Sequence, residues 1–308
     1  MTKILTIGAG AIGCLYLGML SLSKDVEALL CARSNFKKIK KNGVEINSIW
    51  KDFHFTPKKI LQNPSEFSGE NDFLIIATKS LPSLNLPKLI APLVSKKTTI
   101  ILIQNGLFIE EEIARAFPRN HILSVIAFVD VIKFDHNKIK HAGDGLLTIG
   151  EFQNFNPEKT ALFQKLLNEV GVPNILSENI LFDRFKKLLW NASFNPISVL
   201  AGQLNTKEIL DNLELKKLVK NTMFEIANLA AFCGFEISEN LIDEIIAKTQ
   251  ARKNPALTSM LLDFQNNREM EIEAILGNAL NFAAKNNLKM PLILEFYQKL
   301  KIINRKEI

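Results

Sequence analysis

The chain has 308 residues, 47% of them hydrophobic and 23% charged, which is enough for two domains and a sizeable core. No apolar run approaches the roughly 20 residues of a membrane span, which excludes a spanning segment. The formal charge of +6 comes from dispersed lysines such as Lys37, Lys38, Lys40 and Lys41 without an interleaved aromatic platform; an anionic small ligand accounts for it, and no nucleic-acid partner is expected.

The first thirty-three residues read as one βαβ unit. A β-rich run over 2–6 is followed by Gly8-Ala9-Gly10-Ala11-Ile12-Gly13, an apolar helical stretch over 14–22, and a second apolar run over 26–32 that ends at Arg33. Gly8 permits the tight turn, Gly10 lets the backbone approach a pyrophosphate, and Gly13 allows close helix–strand packing. The helix start then offers unpaired N–H groups and a positive dipole to phosphates. The second strand ends in Cys31-Ala32-Arg33-Ser34, with no acid to hold the ribose hydroxyls of NAD. A guanidinium suits a 2′-phosphate, which points to NADP(H); an ordinary surface arginine is the competing reading.

Further along, 36–41 reads as a short helix and 43–55 as a hairpin region. Buried strands are expected over 71–78 and 98–103, ended by Lys79 and by Gln104-Asn105-Gly106, with helices over 84–93 and 110–117. Strands follow over 122–131 and 146–149, then an amphipathic helix over 157–170 stopped by Gly171, and a last strand over 174–176. This alternation indicates a doubly wound, mostly parallel sheet, whose ligands lie beyond the C-terminal strand ends. Gly8, Arg33, Lys79 and Asn105 all fall at such ends. From residue 180 only helical periodicity remains, over 182–200, 209–232, 239–248 and 260–285. The domain change is placed near Glu178, giving domains 1–178 and 179–308. The fold class is thus α/β, with an N-terminal Rossmann sheet domain and an all-helical C-terminal domain. The cleft between the domains is the default site.

Cys14, Cys31 and Cys233 are odd in number and scattered, which suits a reducing cytoplasm and no disulfide framework. His54, His121, His136 and His141 form no metal-type pair, so no metal is expected. The chain begins a strand at once, so no signal peptide is expected and the location is read as cytoplasmic.

Two stretches carry polar side chains in suggestive patterns. Lys187, Asn191 and Asn195 are spaced i, i+4, i+8 and line one helical face, until Pro196 kinks or ends the helix and biases Asn195 away from helical geometry. A lysine can polarise a keto oxygen and protonate the alkoxide, and amides can orient hydroxyl or carboxylate groups. The spacing equally fits an exposed lysine beside capping asparagines. In the second stretch, Ser259 suits a helix N-cap with Asp263 in the first turn, and Arg268 with Glu271 suits an i, i+3 surface pair.

Taken together, the order of these pieces resembles ketopantoate reductase (2-dehydropantoate 2-reductase) over nearly the whole chain. The matching pieces are Gly8 to Gly13, Arg33, Lys79, Gln104-Asn105-Gly106, His141-Ala142-Gly143-Asp144-Gly145 with Ile149-Gly150, Lys187-x-x-x-Asn191-x-x-x-Asn195-Pro196, and Ser259-Met260-Leu261-Leu262-Asp263 with Glu271-Ile272. The resemblance implies NADPH-dependent reduction of 2-dehydropantoate to (R)-pantoate, a step toward pantothenate and coenzyme A. It implies that Gly8, Ala9, Gly10, Ala11, Ile12, Gly13 and Arg33 hold the cofactor phosphates, with Lys79 and Asn105 on the cofactor side. Lys187 would be the proton donor and Glu271 its acidic partner. Asn191, Asn195, Asn205 and Ser259 would hold the substrate, and His141 with its glycine turn would be structural. The partner is a small 2-oxo acid, and the chain is a monomer or homodimer.

The chain departs from the family pattern in two places. Leu107-Phe108 follow Asn105-Gly106 where the family commonly has a further glycine. Asn267-Arg268 and Met270-Glu271 stand where it usually has Gly-Arg and Thr-Glu. These changes open the reading to another 2-oxo acid. A 3-hydroxy acid dehydrogenase is a related alternative, but it offers no reason for Ser259 and Glu271. A non-catalytic NADP-binding protein is a third, opposed by the presence of Lys187, both asparagines and Glu271.

Overall fold

The computed structural model describes residues 1–305. Its chain falls into two compact units: one of Met1–Lys79, Leu84–Gln104 and Ile109–Ile180, the other of Ser80–Ser83, Asn105–Phe108 and Leu181–Ile308.

The first unit is built on one sheet of ten strands: β1 (Thr2–Ile7), β2 (Val26–Cys31), β3 (Val44–Ser48), β4 (Phe53–Phe55), β5 (Lys59–Leu61), β6 (Phe73–Ile76), β7 (Thr99–Leu102), β8 (Ile122–Asp135), β9 (Lys138–Gln153) and β10 (Asn174–Leu176). Their order is β4-β3-β9-β8-β7-β6-β1-β2-β5, with β10 on β9. From β5 to β8 all pairings are parallel. Within that parallel part the order matches the doubly wound arrangement, in which the chain reverses direction across the sheet beside β1. Residues 73–76 and 99–102 are buried throughout, as expected for central parallel strands whose two faces are both covered. The helices of this unit are α1 (Ala11–Leu20), α2 (Phe36–Asn42), α3 (Leu86–Ile90), α4 (Glu111–Ala116) and α5 (Pro157–Glu169). Leu15, Leu17 and Leu20 of α1 and Phe163, Leu166 and Leu167 of α5 join Ile4, Phe73 and Ile75 in one apolar core.

The second unit holds α6 (Ile180–Leu200), α7 (Thr206–Asp211), α8 (Leu213–Phe232), α9 (Glu239–Gln250), α10 (Ser259–Gln265), a π-helical turn over Glu273–Gly277, α11 (Asn278–Lys285) and α12 (Pro291–Arg305). Its core gathers Phe185, Leu189 and Phe194 of α6, Met223 and Ile226 of α8, and Ile293 of α12. No described helix is long and apolar enough to cross a membrane.

Several elements differ from their sequence expectations. Helix α1 begins at Ala11, because Gly10 is its N-cap. The strands expected over 122–131 and 146–149 are parts of one long antiparallel hairpin. The helix expected over 209–232 is divided by Asn212, whose side chain accepts from Glu214 N and Leu215 N to cap α8. The stretch expected over 260–285 is interrupted between Gln265 and Glu273. Helix α6 continues past Pro196 to Leu200, so the proline, expected to kink or end the helix, does not end it. Every residue from 191 to 199 is buried, so tertiary packing holds the segment helical despite the missing proline N–H.

Candidate active site

Each glycine of the N-terminal turn meets a different constraint. Gly8 has φ +109°, and a Cβ there would lie 2.6 Å from the Ala77–Thr78 backbone. A Cβ on Gly13 would lie 2.0 Å from Gly8 O, so helix and turn touch. A Cβ on Gly10 would meet nothing within 4 Å: the chain leaves open space where a dinucleotide phosphate needs close backbone approach. Helix α1 has neither a capping side chain nor an acid in its first turn, which keeps its leading amides suited to an anion. Gly8 N donates to Cys31 O at 3.3 Å, tying the turn to the strand that leads to exposed Arg33. Lys79 lies three residues past the end of β6, and Gln104 Nε2 braces this region by donating to Thr78 O at 2.8 Å. These residues fit a dinucleotide cofactor through backbone amides, open space and a cation at the end of the second strand.

The helical unit holds a second constellation. A cavity is lined by Gly106, Arg184, Lys187, Leu188 and Asn191. Lys187 and Asn191 face it from successive turns of α6, as i, i+4 spacing dictates. Desolvation lowers the Lys187 ammonium from its ordinary 10.5 to about 7; the Arg184 guanidinium adds to the lowering, and the Glu271 carboxylate opposes it. Glu271 is 8% exposed. Its Oε1 accepts from Ser80 N at 2.9 Å and its Oε2 from Asn105 Nδ2 at 3.4 Å.

The loop that carries Asn105 is held at several points. Arg184 Nη1 donates to Gly106 O at 3.1 Å, Leu107 N to Ala274 O at 3.1 Å, and Asn278 Nδ2 to Leu107 O at 2.8 Å. Gly106, at φ +113°, lies so close to Ala274 that a Cβ would stand 2.5 Å from its carbonyl oxygen. Wider winding in a π-turn releases carbonyls from the regular α-helical ladder, and here the Ala274 carbonyl takes the Leu107 amide. Phe108, in the Leu107-Phe108 pair that follows Asn105-Gly106, has φ +56°. Its ring stacks on Phe282 at 4.8 Å and meets Phe185 edge-on at 6.3 Å.

The remaining expected residues are placed as follows. Asn195 is fully buried, and neither side-chain polar atom has a hydrogen-bond partner among the described residues. Asn205 caps α7: its Oδ1 accepts from Lys207 N and Glu208 N, and Glu208 Oε2 accepts from Asn205 N in return. Ser259 is exposed in the first turn of α10; the N-cap is Thr258, not Ser259, with its Oγ1 accepting from Leu261 N at 3.1 Å. Arg268 pairs with Asp263 at 3.1 Å, and Glu271 is bound as described above. His141 is fixed by Ser48 Oγ and the Gly143 and Asp144 carbonyls. Sequence reading did not single out Arg184, Ser80 or Asn278. Arg184 alone left a signal, one helical turn before Lys187; Ser80 acts through its backbone, and Asn278 reads as any helical polar residue. Among the described residues no cluster could hold a metal ion.

Residues 4–154 match the family model described as ketopantoate reductase PanE/ApbA, and residues 179–304 match its C-terminal counterpart. The chain belongs to the ketopantoate reductase family. A 2-dehydropantoate 2-reductase from Nostoc sp. is 31% identical, over 98% of this chain and 95% of that protein. The crystal structure of 2-dehydropantoate 2-reductase from Methylococcus capsulatus superimposes with a TM-score of 0.90 at 32% identity, covering 99% of this chain and 97% of that one. A D-mandelate dehydrogenase solved with NADH and anilino(oxo)acetate shares the fold at a TM-score of 0.91 and 22% identity, with 99% of each chain covered.

Proposed function

We propose that the protein reduces 2-dehydropantoate to (R)-pantoate with NADPH, Lys187 supplying the proton. The observation that carries this reading is Lys187 on the cavity wall, with its ammonium lowered to about 7 and Asn191 beside it. A donor poised near neutrality can both hold a proton and give it up. When bound, the reduced nicotinamide supplies a hydride to the substrate's C2 carbon. Lys187 Nζ holds its proton toward the C2 oxygen, balances the negative charge that grows there, and transfers the proton to leave the hydroxyl. Glu271, fixed by Ser80 N and Asn105, orients the lysine and the substrate hydroxyl. Asn191 and Asn195 orient the substrate's polar groups. A buried amide without partners costs about 1–3 kcal/mol per group, and a bound hydroxyl or carboxylate would offset this at Asn195. Asn205 has its oxygen engaged as a cap, so it offers its NH2 group, and Ser259 offers its hydroxyl.

Residues 8–13 would hold the pyrophosphate, with Lys79 on the cofactor side and Arg33 at the 2′-phosphate. The fold alone does not select this phosphate, since the D-mandelate dehydrogenase was solved with NADH. The test is oxidation of NADPH at 340 nm by the purified protein with 2-dehydropantoate, with NADH and other 2-oxo acids in parallel. Turnover specific to 2-dehydropantoate and NADPH is expected. Turnover with another 2-oxo acid alone would move the substrate and keep the chemistry. Cofactor binding without any turnover would favour a non-catalytic role.

A further inference from the structure

Two side chains from outside the glycine turn reach its Ala9 carbonyl. Lys133 Nζ donates to Ala9 O at 3.2 Å, and Asn35 Nδ2 donates to the same atom at 3.3 Å. His136 Nδ1 lies 3.1 Å from Asn35 Oδ1. Asn35 occupies the N-cap position of α2, yet its side chain makes no capping bond; it is turned toward the glycine turn instead. Asn35 is buried and follows Arg33 by two residues. Lys133 comes from β8, far away in sequence. Strand alternation puts it on the face shared with Val129 and Val131, which pack against the core of the sheet unit. That face directs the lysine inward to the turn, while Ile132 and Phe134 point out.

The Lys133 ammonium is also felt in the first turn of α1. Burial pushes the Cys14 thiol up to about 12, and Lys133 is the charge that acts against that rise. Asp135, two residues further along β8, accepts from His136 N at 2.6 Å and is held below its usual range by that bond, with Lys38, His136 and Lys138 adding to it. The carboxylate is thus engaged by its own neighbours.

The leading amides of α1 suffice for a pyrophosphate. A phosphate monoester beside Arg33 carries close to two negative charges near neutral pH, and one guanidinium leaves it under-compensated. Resting on the NADP reading above, we propose that Lys133 is a cofactor-specificity residue: with Arg33 it forms the cationic site for the 2′-phosphate, carried to the turn by the β8–β9 hairpin. Its hydrogen bond to Ala9 O pre-places the ammonium, so the site is set before the cofactor arrives.

The test uses the full-length protein and binding alone. Isothermal titration with 2′,5′-ADP and with ADP is compared for the native protein, Lys133→Met, Lys133→Arg and Arg33→Ala. Lys133→Met keeps the apolar stem and is expected to weaken 2′,5′-ADP at least tenfold while changing ADP less than twofold. Lys133→Arg should restore most of the difference. The salt dependence of 2′,5′-ADP binding should become shallower in Lys133→Met, because one fewer cation meets the phosphate. Equal losses for both ligands, or no loss for either, would reduce Lys133 to a brace of the turn and overturn the proposal. If the native protein itself does not prefer 2′,5′-ADP to ADP, the NADP reading falls, and the role of Lys133 falls with it. A thermal melt of each variant identifies any loss caused by unfolding.

Discussion

The glycine turn of the sheet unit is made by six consecutive residues and works through backbone: space over Gly10, contact at Gly13, uncapped amides on α1. The Lys187 cavity and the Glu271 contacts are made by residues drawn from 80, 105–106, 184–191 and 271, and work chiefly through side chains. A backbone site depends on what is absent, so adding a methyl group damages it. A side-chain site depends on charge and donors held by supporting contacts, so removing a group damages it.

The largest expected effect lies in the side-chain site. Lys187→Ala should lower the reduction rate by about 10²–10⁴-fold, while NADPH affinity from fluorescence titration stays within about twofold, as expected of a group that acts on the proton and not on the cofactor. An equal loss of affinity would place Lys187 on the cofactor side and erase the contrast between the two regions. In the native enzyme the reduction rate should fall as pH rises through about 7, because the ammonium loses its proton there. That limb should be missing from the residual activity of Lys187→Ala. The same shift has a stability consequence of definite sign. The folded pKa is below the unfolded one, so between about 7 and 10.5 the unfolded chain binds more protons and this group's contribution to stability rises with pH.

The backbone site gives the next contrast, between two glycines three residues apart. Gly13→Ala forces a contact with Gly8 O and should lower the melting temperature by about 3–5 °C, as for a 2–3 kcal/mol overpacking cost in a chain of this length. Gly10→Ala should leave the melt within about 2 °C yet weaken NADPH about tenfold, because its methyl group enters the space left for the pyrophosphate. A stable Gly10→Ala variant with unchanged affinity would show that the cofactor does not approach there.

Smaller effects come from the loop beneath Asn105. Phe108→Gly removes a left-handed backbone penalty of about 1 kcal/mol, but it loses the Phe282 and Phe185 contacts, which for a large aromatic outweigh it. A net destabilisation of about 2 kcal/mol by urea titration is expected; a gain in stability would mean that strain dominates. Asn278→Ala should cost about 1 kcal/mol in stability and lower the turnover number a few-fold through the Asn105–Glu271 contact. If its effect on turnover simply adds to that of Asn105→Ala, the two residues are not coupled.

The contrast also explains what could be read from the sequence. The β1–α1–β2 unit, the β3–β4 hairpin and the helical character of the second half follow from local spacing, because each is written in contiguous residues. The short edge strand β5 has no such mark: Lys59-Ile60-Leu61 shows neither alternation nor a continuous apolar run. The β8–β9 hairpin reads as two separated strands, because its outer half breaks the apolar-in, charged-out pattern: Lys133 lies on the inward face while Ile132 and Phe134 are exposed. Pro196 does not end α6: its local preference is real, but complete burial of its neighbours overrides it. Ser80 and Asn278 had no local mark at all, because one acts through a backbone amide and the other binds a carbonyl far away in sequence.

Phe108 also ties its own tolerance of change to the residue at position 282. A phenylalanine in a left-handed position without Phe282 to stack on would meet the backbone penalty with part of its packing missing. Phe282 depends less on its partner, since a helical aromatic beside Phe232 already has a neighbour. Replacing Phe108 alone with glycine leaves Phe282 without its stacking partner. The two positions are therefore coupled: how well each tolerates substitution depends on the ring at the other.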